Sequence, residues 1–105
     1  LMNGALRCAA RAHSKDMVQK SFFSHTNKAG ESAGFRIKKA GYGSSWTGEN
    51  IAGGNSSAAK TVLQWMKSSG HCKNIMNPSY KGIGVGYYKG GKYGHTWTQT
   101  FGNIK

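Results

Sequence analysis

A chain of 105 residues is the size of one small domain, long enough to bury a modest core and too short for two. Fifteen Lys and Arg face three acids, Asp16, Glu31 and Glu49, for a formal net charge of +12; such a field draws anionic surfaces, while the scatter of the basic residues, without a zinc-finger, RNP or helix-turn-helix pattern, argues against specific nucleic-acid recognition. No run approaches the roughly 20 apolar residues of a membrane-spanning helix, so a soluble domain with no transmembrane segment is expected.

Leu1-Met2-Asn3 already lies inside a helical pattern, as expected of a single domain over residues 1–105 trimmed from a longer precursor. Met2, Leu6, Ala9, Ala10, His13 and Met17 recur mostly at spacings of three and four, which predicts a helix from about residue 2 to 20 with one buried stripe. His13 lies on that stripe and is expected to be a packed or hydrogen-bonded core histidine. Phe22 to Gly30 reads as irregular chain, which puts His25 on a loop. Ser32 can cap a short helix through Phe35, Ile37 and Ala40, with Gly41 as its left-handed terminator.

Residues 41–54 are dense in glycine yet carry Tyr42, Trp46 and Ile51, so an ordered, functional loop is expected there. Ser56 or Ser57 opens a third helix whose apolar face is Val62, Trp65 and Met66 and whose end is Gly70. His71 to Met76 follows as a short helical turn stopped by Pro78. Ile83 to Tyr88 is a strand by composition, Lys89-Gly90-Gly91-Lys92 a turn, and His95 to Phe101 a second strand of period two, with His95 exposed near the turn. Helices first and an antiparallel pair last predict an α+β fold, with three to four helices packed on a small antiparallel sheet. Trp46, Trp65, Trp97 and Phe23 are expected to supply much of the core. Cys8 and Cys72 stand 64 positions apart and form either one bridge or two free thiols.

Three phrases coincide: Phe22-Phe23-Ser24-His25; Gly48-Glu49-Asn50-Ile51-Ala52; and Trp65 to His71 running into Asn74-Ile75-Met76-Asn77-Pro78. With Ile83-Gly84-Val85-Gly86 and Trp97 to Gly102 behind them, the chain resembles, nearly end to end, the bacterial-type branch of the CAP superfamily of cysteine-rich secretory, antigen 5 and pathogenesis-related 1 proteins. The resemblance implies an α-β-α sandwich, secreted, with a cleft of two histidines and acidic partners that binds a divalent metal in some members. His25, Glu49 and His71 match the family's site positions. The fuller pattern has a second glutamate soon after the helix tryptophan; here Met66-Lys67-Ser68-Ser69 holds no acid.

Two imidazoles and one carboxylate suit zinc with positions left open, so His25, His71 and Glu49 are the expected metal ligands. Glu49 is one of only three acids and sits in a glycine-rich segment, which points to a site; a structural part for it, accepting backbone hydrogen bonds or pairing with a histidine, is the alternative. Asn50 and Gln99 are expected to be structural hydrogen-bonding residues. Two functions compete. One is a secreted binding module whose cleft or basic face engages a lipid, sterol, cell-wall polymer or host molecule. The other is a metal-dependent hydrolase with Glu49 as general base, disfavoured because neither a Gly-x-Ser-x-Gly nor a His-Glu-x-x-His motif is present.

Overall fold

The computed structural model describes residues 1–44 and 46–104. In chain order these form α1 (Gly4–Gln19), α2 (Ala33–Lys39), β1 (Thr47–Gly53), α3 (Ala58–Met66), α4 (Ser69–Met76), β2 (Gly82–Lys89) and β3 (His95–Gly102). The class is the α+β arrangement expected.

Local chemistry sets the helix ends. Asn3 caps α1 by accepting the Leu6 N–H at 3.0 Å, and Ser32 caps α2 through the Phe35 N–H. Both helices finish in the same hairpin of hydrogen bonds: Phe22 N–H reaches back to the Met17 carbonyl, and Tyr42 N–H to that of Ile37. The left-handed residue between is Gly41 for α2, as expected, and Ser21 (φ 56°) for α1. That turn after α1 leads Phe22 against the His13 ring and the following loop toward β1.

The sheet is antiparallel in the order β1-β3-β2. β2 and β3 are the expected hairpin; β1 joins β3 from the other side, with Glu49 opposite Thr100 and Asn50 opposite Gln99. The period of two then sorts the side chains into layers. Thr98 and Thr100 face α1, where Thr98 meets Ser14 at 2.7 Å and Thr100 donates to the Leu6 carbonyl at 2.7 Å. Ala52 and Trp97 face the opposite way and pack on Trp65 of α3. The result is an α-β-α sandwich, with α1 and α2 on one face and α3 and α4 on the other. On the first face α1 lies directly on β2: a Cβ added at Gly84 would stand 2.2 Å from the Leu6 carbonyl carbon, and one at Gly86 2.3 Å from the Arg11 nitrogen.

Several expectations are corrected. Leu1-Met2-Asn3 precede the first helix instead of lying inside it: Asn3 is its cap, and Met2, exposed and off the buried stripe, bridges Ile83. The loop expected over residues 41–54 is a strand from Thr47 onward; Glu49, Asn50, Ile51 and Ala52 are all buried, so β1 shows no alternation of polarity to read. Ser45 of that stretch lies outside the described residues. The apolar face of α3 is rotated by one residue: Trp65 and Thr61 are buried while Val62 and Met66 are exposed. The Trp65 indole N–H donates to the Ile51 carbonyl at 3.0 Å, and that anchor brings its i−4 neighbour Thr61 inward. The helix ends at Met66 rather than Gly70, because Ser68 takes extended backbone and starts α4, which contains Gly70.

Trp46 and Phe23 are exposed rather than core, and the apolar interior is left to Leu6, Ile37, Tyr42, Trp65 and Trp97 among others. His95 is half-buried, stacked on Tyr87 and hydrogen-bonded to its hydroxyl. Cys8 is exposed, Cys72 is half-buried, and both are free thiols.

Candidate functional site

Glu49 is the centre of the site. Its position on β1 turns it toward α1 and α2, where its side chain is 1% exposed. A buried carboxylate needs partners for its lone pairs. Arg36 of α2 supplies two, donating to Oε2 at 2.9 Å and to Oε1 at 3.0 Å, and His25 supplies a third through Nδ1 at 2.8 Å from Oε1. Arg36 also donates to the His25 carbonyl, which ties the loop before α2 to the same guanidinium. His13 of α1 closes the ring of basic groups, its Nε2 3.9 Å from Oε1.

Asn50, one residue on, points to the opposite face. It donates to the His71 carbonyl at 3.1 Å and to Gln99 at 3.0 Å, and accepts from Asn74 at 2.9 Å. Asn74 also shares its amide with the Glu49 carbonyl. Consecutive residues of an edge strand thus clamp both layers: Glu49 holds the loop and α2, and Asn50 holds α4, which carries His71. The structural part expected for Asn50 and Gln99 is what the packing shows.

The three residues singled out from sequence are joined unequally. His25 and Glu49 are in direct contact. His71 makes no hydrogen bond to either, yet it lies near enough to His25 for that charge to bear on its titration. Its Nδ1 is buried with no partner.

Protonation follows from the surroundings. Burial pushes the Glu49 carboxyl up, but hydrogen bonds from His25 and Arg36 and the charge of Arg36 outweigh it and hold the group below the ordinary glutamate value. Burial lowers His13 below its ordinary value, against the pull of Glu49, and burial with the charge of His25 lowers His71. Because a carboxylate accepts, His25 carries its proton on Nδ1, and in the neutral ring Nε2 keeps its lone pair.

That donor set decides how a metal would fit. Among the described residues no group of three His, Cys, Asp and Glu side chains is arranged to hold an ion. Both Glu49 oxygens are committed to Arg36 and His25, so the carboxylate fits as the partner that orients a ligand rather than as a ligand. His25 Nε2 and the unpartnered ring of His71 are the nitrogens that remain.

Sequence reasoning missed Arg36 altogether. Nothing separates it from the other 14 Lys and Arg until the fold brings α2 against β1. His13 was assigned to the core and is 1% exposed, with Nε2 bonded to the Ser24 carbonyl at 2.8 Å; its second position, beside Glu49, was invisible. Asn74 lies in the recognised run 74–78, but its contact with Asn50 needed coordinates.

The α-β-α sandwich is the fold that the resemblance to CAP domains implied. The chain belongs to the cysteine-rich secretory protein (CAP) family, which is matched over residues 2–101. It is 42% identical over 93 residues to YkwD and 35% identical over 92 to the membrane protein YlbC, both of Bacillus subtilis; it covers 35% and 25% of their lengths, so it spans only about a third or less of these relatives. Among solved structures it superposes with a TM-score of 0.86, at 33% identity, on an extracellular SCP-domain protein of Bacillus anthracis, covering 95% of this chain and 32% of that one. An outer surface protein of Borrelia burgdorferi shares the fold, with a TM-score of 0.84 at 21% identity over 99% of this chain and 77% of that one. No helix among the described residues is long and apolar enough to cross a membrane.

Proposed function

We propose that the chain is a secreted binding domain in which His25 and His71 take a divalent metal, zinc first, and that the bound ion engages a ligand at the cell surface. The observation that carries this is the His25–Glu49 bond: it fixes the imidazole in one tautomer and leaves Nε2 as a lone-pair donor. A bound ion would supply a Lewis-acidic point for an anionic or carbonyl group of the ligand, with coordination positions left open. The extracellular and outer-surface relatives support secretion. The +12 charge supports attachment to anionic wall polymers or lipid headgroups, with a sterol or host molecule as the other candidates.

Metal-dependent hydrolysis with Glu49 as general base is the weaker reading. A base must offer a free lone pair to water and a pKa near the working pH. Glu49 has both oxygens engaged and is held below the ordinary glutamate value.

Calorimetric titration of zinc into the protein tests the metal site. One binding event, lost in His25→Ala and in His71→Ala, is expected. No heat in the wild type, or wild-type heat retained in either variant, overturns it.

A further inference from the structure

Helix α3 is apolar on two sides. Thr61 and Trp65 turn inward, while Ala59, Val62, Leu63 and Met66 are all exposed. Their spacing of i, i+3, i+4 and i+7 is the one that ordinarily marks a helix face packed on a core. At 3.6 residues per turn it makes a single stripe, with Leu63 opposite the buried edge.

Charge narrows what can cover that stripe. Lys60, Gln64 and Lys67 are exposed and run along its flank. The chain's three acids all lie with the other layer: Asp16 on α1, Glu31 paired with Lys39 of α2, and Glu49 turned toward α1 and α2. The layer of α3 and α4 therefore carries Lys60, Lys67 and Lys73 and no acidic side chain.

Three kinds of surface can be compared. An anionic polymer would engage the lysines and leave Val62, Leu63 and Met66 in water. A stable protein interface uses roughly 20–30 residues on each side, and one helix of 9 residues offers a fraction of that. A lipid interface suits both features at once: short apolar side chains enter the acyl boundary while lysines keep their ammonium groups among the headgroups.

We propose that the outward face of α3 docks the domain on an anionic lipid bilayer, with Val62, Leu63 and Met66 inserted and Lys60 and Lys67 at the headgroups. This deepens the surface attachment read above from the net charge, naming the lipid as the surface and α3 as the element that meets it; the zinc site plays no part in it.

Sedimentation with vesicles of phosphatidylcholine containing phosphatidylglycerol, and of phosphatidylcholine alone, tests this in the presence of EDTA. Binding to the anionic vesicles and not to the neutral ones is expected. Val62→Gln with Leu63→Gln keeps the charge and, at two exposed positions, suits the helix; it should weaken binding about tenfold or more. Lys60→Gln with Lys67→Gln should also weaken it about tenfold or more. Lys15→Gln with Lys38→Gln, the same change of charge on exposed positions of α1 and α2, should weaken it less than about threefold, because charges farther from the membrane are screened. No binding to anionic vesicles, unchanged affinity in the Val62 and Leu63 variant, or an equal loss from the two lysine pairs overturns the proposal. EDTA removes the metal, so failure here leaves the zinc site standing, and vesicle binding without any calorimetric zinc signal would sink the zinc site alone.

Discussion

Arg36 donates to both oxygens of Glu49, at 2.9 and 3.0 Å, from a short helix onto an edge strand, and both side chains are nearly buried. Two such charges stabilise each other only as a pair. Arg36→Ala strands the carboxylate and is expected to cost about 3–5 kcal/mol, a large part of a small domain's stability. Replacing both residues by leucine should recover most of that loss. Urea unfolding of the three proteins measures it; a cost under about 1 kcal/mol for Arg36→Ala would contradict a buried, bidentate pair.

Acid sensitivity follows from the same surroundings. His13 and His71 are held below 6.5 in the folded chain, so the unfolded chain binds protons first as pH falls. Their contribution is complete above 6.5 and is lost as pH falls from there through the folded values. Glu49 is held below 4.5, so its contribution is complete above 4.5 and is lost on further acidification. Melting temperature against pH is expected to decline in two steps. His13→Gln should blunt the upper step and Glu49→Gln the lower; a single decline unaltered by either would refute the assignment.

Asn50 anchors α4 to the sheet through the His71 carbonyl and Asn74. Asn50→Ala leaves Gln99, Asn74 and the His71 carbonyl short of partners and is expected to cost about 2 kcal/mol. Because the same bonds position His71, zinc affinity should fall about tenfold as well. Unfolding and calorimetry on one variant check both; lowered stability with unchanged zinc affinity would separate Asn50 from the metal proposal.

Gly86 touches the backbone of α1, with a virtual Cβ 2.3 Å from the Arg11 nitrogen, whereas Gly4 has nothing within 4 Å. Gly86→Ala is expected to lose about 3 kcal/mol or more, since a helix backbone cannot step aside as a side chain can. Gly4→Ala should stay within about 1 kcal/mol of wild type. Thermal unfolding compares them, and similar melting temperatures would mean that α1 does not rest on β2.

Local signals were legible where the cause is local. The cap at Ser32, a cap at Ser56 or Ser57, the glycine terminator after α2 and the glycine hairpin of β2 and β3 depend on residues within a few positions of each other, and each was visible in the sequence; the structure settles the second on Ser57. β1 was not, because both of its faces are covered and its glycines weaken its strand propensity. The rotation of α3 was not either; it depends on a hydrogen bond from Trp65 to Ile51, 14 residues away.

The same division runs through the site. Residue types and their order were enough to identify the family and to put forward His25, Glu49 and His71, of which the fold joins His25 and Glu49 directly. Only the tertiary structure decided that Glu49 is clamped by Arg36, that His13 stands behind it, and that Asn50 carries α4 from the opposite face. The reason is physical: a chain pattern encodes which side chain faces inward along its own element. Which of 15 basic residues meets a given carboxylate depends on how separate elements cross, and that is settled only when the layers pack.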